Sequence, residues 1–206
     1  MCRYIPERKA MEQMKSECVS TVIHELRTPM TSIKVSIGLI EGGALGKLPD
    51  SANDMMHIAY KNTERLINLV NDILDMEKLD SGSMEFCFTE NDLSQVLKQV
   101  IDINQGYAAE HNVTFELKKS LPETLVNIDV HRVTQVITNL LSNAAKFSPE
   151  HGNVEIFTEI REGCVRTCIK DHGPGIPDDF KTSIFGKFAQ ADSSDDREKG
   201  GTGLGL

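Results

Sequence analysis

No run of apolar residues in this 206-residue chain approaches the length that a membrane-crossing helix needs. The opening residues, Met1-Cys-Arg-Tyr-Ile-Pro6, lack the apolar core of a secretory leader. Cysteine is sparse and poorly placed for cross-linking. Cys2, Cys18, Cys87, Cys164 and Cys168 are odd in number, scattered, and contain no Cys-x-x-Cys pair. They read as small buried apolar residues of a reducing compartment, not as a disulfide framework or a cysteine metal site. Positive charge is also short: 22 Lys and Arg face 31 Asp and Glu, a net charge of -9, which argues against a nucleic-acid binder that relies on phosphate contacts. No Gly-x-x-x-x-Gly-Lys-Ser/Thr phosphate loop is present, and the glycines at 201, 203 and 205 do not spell Gly-x-Gly-x-x-Gly. There is no internal repeat and no low-complexity tract. What remains is ordinary in proportion, 39% hydrophobic and 26% charged, and long enough for one large domain or two modest ones. The expectation is a soluble, intracellular chain with no nucleic-acid partner.

The patterning divides that length in two. From Glu7 to Ile40 helix formers carry Met14, Cys18, Val22, Leu26 and Ile33 at steps of three, four and seven. Three glycines and a proline between Glu41 and Pro49 break the pattern into a loop. A second helix is expected from about Ser51 to Leu79, with a heptad seam of Ala59, Leu66 and Ile73 beside Asn62, Leu69 and Met76. Such a hairpin leaves an apolar stripe half covered, so pairing of two copies into a four-helix bundle is expected, with a hairpin packed on its own second domain as the alternative. Asp80-Ser-Gly-Ser83 ends the helix. The division expected is a linker helix over 1–14, a hairpin domain over 15–82 and a second domain over 83–206. In the latter, strands are predicted at Met84–Thr89, Val113–Leu117, Leu125–Ile128, Val154–Ile160 and Val165–Ile169, and helices at Asp92–His111 and Val130–Phe147. That order suggests an α+β sandwich, one sheet covered by helices on one face, so the expected fold is α plus α+β, a helical hairpin followed by an α/β sandwich domain.

His24 stands in Ser20-Thr-Val-Ile-His-Glu-Leu-Arg-Thr-Pro29. One helical turn spans residues 24 to 28, so His24 and Thr28 share a face with Glu25 beside them. Pro29 has no N–H and crowds the carbonyl of Glu25, which should bend the helix there. A lone helical histidine is ordinarily a solvated or core residue, and Thr28 breaks the His-Glu-x-x-His pattern of a zinc protease. The weight comes from three downstream segments. Asn139, Asn143 and Lys146 fall at i, i+4 and i+7 of one helix, just before Phe147; Asp171-His-Gly173-Pro-Gly175-Ile176 follows a strand; Gly200-Gly201-Thr202-Gly203-Leu204-Gly205-Leu206 closes the chain.

The run around His24 resembles the phospho-acceptor box of sensor histidine kinases, usually His-Glu-Leu-Arg-Thr-Pro. The downstream segments resemble the N, G1 and G2 boxes of the ATPase fold (Bergerat or GHKL type) shared by histidine kinases, gyrase-type topoisomerases, Hsp90 and MutL proteins. Ile184-Phe-Gly-Lys-Phe188 resembles the kinases' F box, with Gly186 where glutamate is usual. Members of the family continue past the G2 box, so the resemblance implies a fragment of a longer protein, whose membrane attachment, if any, lies in other segments.

The resemblance implies a kinase core, in the cytoplasm or the cytoplasmic part of a sensor, that binds ATP and Mg²⁺. Asn143 is the metal ligand, since a neutral amide oxygen can coordinate Mg²⁺. Lys146 meets phosphate as a point charge. Asp171, an acceptor when ionised, suits the adenine amine. Gly173 and Gly175 allow close backbone approach, and the glycines from 201 to 205 offer N–H groups to phosphates. Asn139, Phe147, Ile176, Phe188, Thr202 and Leu204 complete the nucleotide site, although Asn139 alone would serve equally as a helix surface residue and His172 as a solvated turn residue. His24 attacks the γ-phosphorus, Glu25 orients the ring and accepts its proton, and the phosphoryl group passes to an aspartate of a response-regulator receiver domain. Glu25 and Thr28 also match the acid and hydroxyl pair of members that dephosphorylate the regulator; a Thr28 hydroxyl returning to the helix backbone is the other reading. Two further classes stay open, a non-catalytic dimeric scaffold and a chaperone-type or topoisomerase-type ATPase.

Overall fold

The computed structural model describes residues 4–44, 46–119 and 124–186, with the backbone alone described for 4–20, 24 and 119. The chain divides into two compact units, Met1–Glu85 and Phe86–Leu206.

The first unit is a helical hairpin. Helix α1 runs from Tyr4 to Glu41 without a break at residue 14, and Pro29 lies within it. It ends because Gly43 adopts φ 82°, a left-handed conformation that costs glycine little. Ala44 N–H then donates to Leu39 C=O and Gly43 N–H to Ile40 C=O, the paired closure of a Schellman motif. Helix α2, Asp50–Asp80, ends the same way: Gly82 has φ 67°, Ser83 N–H donates to Lys78 and Gly82 N–H to Leu79. Ile23 on α1 is buried with Val70 and Leu74 on α2, and Met30 and Ile73 pack against them. The seam that faces α1 is therefore Thr63, Val70 and Leu74. The predicted stripe is different: Leu66 remains 53% exposed, on the flank of that seam. Both sets repeat at about seven, and periodicity alone does not say which of two neighbouring stripes meets the partner helix.

The second unit contains β1 (Thr89–Asp92), α3 (Leu93–Glu110), β2 (Thr114–Lys119), β3 (Leu125–Ile128), α4 (Val130–Phe147), β4 (Asn153–Arg161) and β5 (Cys164–Lys170). Both helices are started by aspartates. Asp92 accepts from Ser94 N–H and Asp129 from Arg132 N–H, each meeting an N–H group that the first turn leaves unpaired. Asp129 also accepts from Cys87 N–H, and these backbone donors hold its carboxyl below the usual range. Glu162 and Gly163, with φ of 53° and 79°, form the two-residue turn joining β4 to β5.

The first strand begins later than predicted, at Thr89 instead of Met84. Phe86 and Phe88 supply the alternation that suggested it, but both are exposed and stack on each other at 5.8 Å between ring centroids. The strands also form two ladders, not one sheet: β1 pairs antiparallel with β3, while β2, β4 and β5 form a three-stranded sheet with β2 and β4 parallel. Alternation shows which face of a strand is buried and is silent on which strand it pairs with. Leu97, Val100, Leu141, Val154 and Ile156 make the centre of the core, between α3, α4 and the helix-covered face of the three-stranded sheet. Buried Asn104 ties the two helices by donating to Val100 C=O and to Thr138 Oγ1.

Candidate functional site

Helix α4 buries Ile137, Leu141, Ala144 and Ala145. That fixes its rotation, and Asn139, Asn143 and Lys146 consequently share another face, each half-buried. The Lys146 ammonium lies 4.9 Å from the centre of the Phe147 ring, in the last turn where the helix dipole favours a cation.

Asp171 follows β5 directly, and its neighbour Gly173 rests against the end of α4. A Cβ on Gly173 would stand 2.6 Å from the Phe147 carbonyl oxygen, so only glycine permits this approach. The Gly173 N–H donates to Asp171 Oδ1 at 2.8 Å, a turn in which the aspartate side chain holds its own backbone. One carboxylate oxygen is thereby fixed against the backbone of its own turn. His172, expected to be only a solvated turn residue, is exposed but places Nδ1 3.2 Å from the Asn153 carbonyl oxygen. The Asn153 amide in turn donates to Glu116 at 2.7 Å, and Lys118 together with this amide holds that carboxyl below its usual range. The turn after β5 is thus tied to β4 and β2, a link no motif announced. Gly175 has φ 78°, and Ile176 is exposed beyond it.

The structure therefore seats the Asp171–Gly173 turn on Phe147, at the end of the helix that carries Asn139, Asn143 and Lys146, across more than twenty residues of chain. Phe188, Gly201, Thr202, Gly203, Leu204 and Gly205 lie outside the described residues. Among the described residues no group of three His, Cys, Asp or Glu side chains could hold a metal, and no helix is long and apolar enough to cross a membrane.

In the other unit, His24 lies within α1 with its side chain outside the described residues, while Glu25 and Thr28 are exposed on the following turn. Arg27, absent from the residues singled out by sequence, donates from Nη2 to Asn71 Oδ1 of α2 at 2.7 Å. The only hint in sequence is an amide on the apolar side of α2, next to Val70.

Both units match known protein families. Residues 14–82 match the family model of the His Kinase A (phospho-acceptor) domain, and residues 128–206 that of the histidine kinase-, DNA gyrase B-, and HSP90-like ATPase. The sensor histidine kinase WalK of Bacillus subtilis is 34% identical over 98% of this chain and 33% of its own length. Hybrid signal transduction histidine kinase D of Dictyostelium discoideum is 32% identical over 96% of this chain and 13% of its own. Among solved structures, full-length ShkA in complex with AMPPNP is 30% identical, with a TM-score of 0.69 over 92% of this chain and 38% of that one. The chain spans about a third of the length of WalK and less of the hybrid kinase. With a phospho-acceptor hairpin and a nucleotide-binding α/β unit in that order, the chain belongs to the sensor histidine kinases.

Proposed function

We propose that this chain is a kinase core that phosphorylates its own His24 from Mg²⁺-ATP and passes the phosphoryl group to an aspartate of a response-regulator receiver domain. The observation that carries the reading is the Asp171–Gly173 turn seated on the end of the helix bearing Asn139, Asn143 and Lys146. An adenine amine would donate to the remaining Asp171 oxygen, and Lys146 would meet phosphate. Asn143 would give its amide oxygen to Mg²⁺, which, when bound, neutralises phosphate charge. The imidazole nitrogen of His24 forms a bond to the γ-phosphorus as the bond to the β,γ-bridging oxygen breaks and ADP leaves with that electron pair. Glu25 accepts the ring proton, and positioning supplies most of the acceleration. Two copies pair through their hairpins, whose apolar flank is otherwise uncovered.

Incubating the full-length protein with γ-labelled ATP tests this. Label on the protein that is acid-labile and alkali-stable is the expected result; released phosphate without labelled protein would instead identify an ATPase, and neither product a scaffold.

Asp171→Asn sharpens the nucleotide assignment. Its Oδ1 would still accept from Gly173 N–H, so the new NH₂ takes the outward position and opposes a donor with a donor. ATP affinity should fall by about 1–3 kcal/mol, read by calorimetry. Equal affinity would remove Asp171 from the site.

The His24 turn is proposed to run regulator dephosphorylation as well, with the Thr28 hydroxyl holding a water in line. Thr28→Ala, at an exposed position, should leave His24 phosphorylation within about a few-fold but slow dephosphorylation of the cognate regulator by about tenfold or more. Glu25→Ala should slow the kinase reaction, through loss of the proton acceptor. Unchanged dephosphorylation by Thr28→Ala would leave the hydroxyl with a helix-backbone role only.

A further inference from the structure

Arg27 lies on the turn that follows His24, three residues on, where a side chain returns to the side of the helix next to that of residue 24. Its neighbours on the inward side are apolar: Ile23 is buried against Val70 and Leu74, with Met30 packed beside them. A guanidinium in such surroundings is ordinarily matched by a carboxylate, which supplies both hydrogen bonds and charge. Here the geometry is different. Arg27 Nη2 donates to the Oδ1 of Asn71, a neutral amide, at 2.7 Å. Carboxylates stand close by in the sequence of α2. The carboxyl of Asp72 is nevertheless held above its usual range by burial and by the like charge of Asp75.

A neutral acceptor orients a guanidinium without cancelling its charge. Resting on the kinase reading of His24, we propose that Asn71 is a positioning residue for phosphoryl transfer. It anchors one N–H of the Arg27 fork and leaves the cation, with its other donors, to meet the phosphoryl oxygens at the His24 turn. Arginine suits this because its planar fork makes parallel hydrogen bonds to two oxygens of one group. Charge stabilisation of this kind acts on the transferring group and not on the adenine, so Asn71 affects the rate at saturating ATP and leaves the Michaelis constant for ATP alone. Asn71 itself touches no reacting atom.

Two variants of the full-length protein separate this from a purely structural link between the helices. Asn71→Leu keeps the branched shape, with a somewhat larger volume, and removes the acceptor. Asn71→Asp keeps the acceptor, strengthens the bond, and cancels the charge. A structural link predicts that the aspartate variant labels normally, because it ties the helices at least as well. The positioning role predicts that both variants lose about tenfold or more in kcat for His24 labelling, with the Michaelis constant for ATP within about twofold of wild type. Far-UV circular dichroism checks that each is folded; if the leucine variant is not, the aspartate variant decides. Either folded variant labelling at the wild-type kcat, or slowed only through ATP binding, overturns the proposal. Absence of label on His24 in the wild-type protein refutes the kinase reading itself, a result distinguishable from failure of the Asn71 role alone.

Discussion

His24→Gln abolishes acid-labile label from γ-labelled ATP while ATP binding stays at the wild-type level. Glutamine keeps a polar, helix-compatible side chain at residue 24, so α1 should be unperturbed. Its amide nitrogen has no available lone pair to attack phosphorus, so the loss should be complete and not graded. The residues proposed to bind nucleotide lie on α4 and after β5, in the other compact unit, so calorimetry should show the same ATP affinity in both proteins. Label persisting at the wild-type level would move the acceptor to another residue and take Glu25 and Thr28 with it. Loss of both label and ATP binding would show instead that the substitution had damaged the protein as a whole.

Charge placed on the flank of the hairpin should dissociate the proposed dimer, and the structure separates two substitutions that looked alike in sequence. Leu66 is 53% exposed within one hairpin, so Leu66→Asp costs a single copy little. In a four-helix bundle the same position would face the second copy, and each pair would bury two unpaired carboxylates. A loss of about 3 kcal/mol or more, roughly a hundredfold in the dimer dissociation constant, is expected. Sedimentation at micromolar concentration should show a folded, helical monomer. Ile73 packs against the cluster of Ile23, Val70 and Leu74, so Ile73→Asp should unfold the hairpin as well as separate the copies. The exposed Val22, Leu26 and Ile33 on α1 belong to the surface such pairing would cover. A Leu66→Asp protein that remains a dimer as tight as the wild type would refute pairing through this flank.

Much of the second unit was legible because its signals are local. The limits of β3 and α4 were predicted to the residue, at Leu125–Ile128 and Val130–Phe147. Periodicity, and an aspartate at the start of α4, are properties of adjacent residues. Gly43 and Gly82 likewise ended both hairpin helices where breaks were expected. The misplaced first strand has the opposite cause: Phe86 and Phe88 alternate like strand residues but find no strand to pair with.

The sequence by itself determined the two units, their order, the family, and the residue types at each box, since a motif is a pattern along one strand of covalent bonds. Tertiary structure alone decided which stripe of α2 meets α1, that the strands form two ladders, and that Gly173 lies against Phe147. It also joined Arg27 to Asn71 across 44 residues. These outcomes depend on competition between surfaces of similar hydrophobicity and on the few approaches that backbone sterics allow. Neither quantity exists until distant segments are brought together.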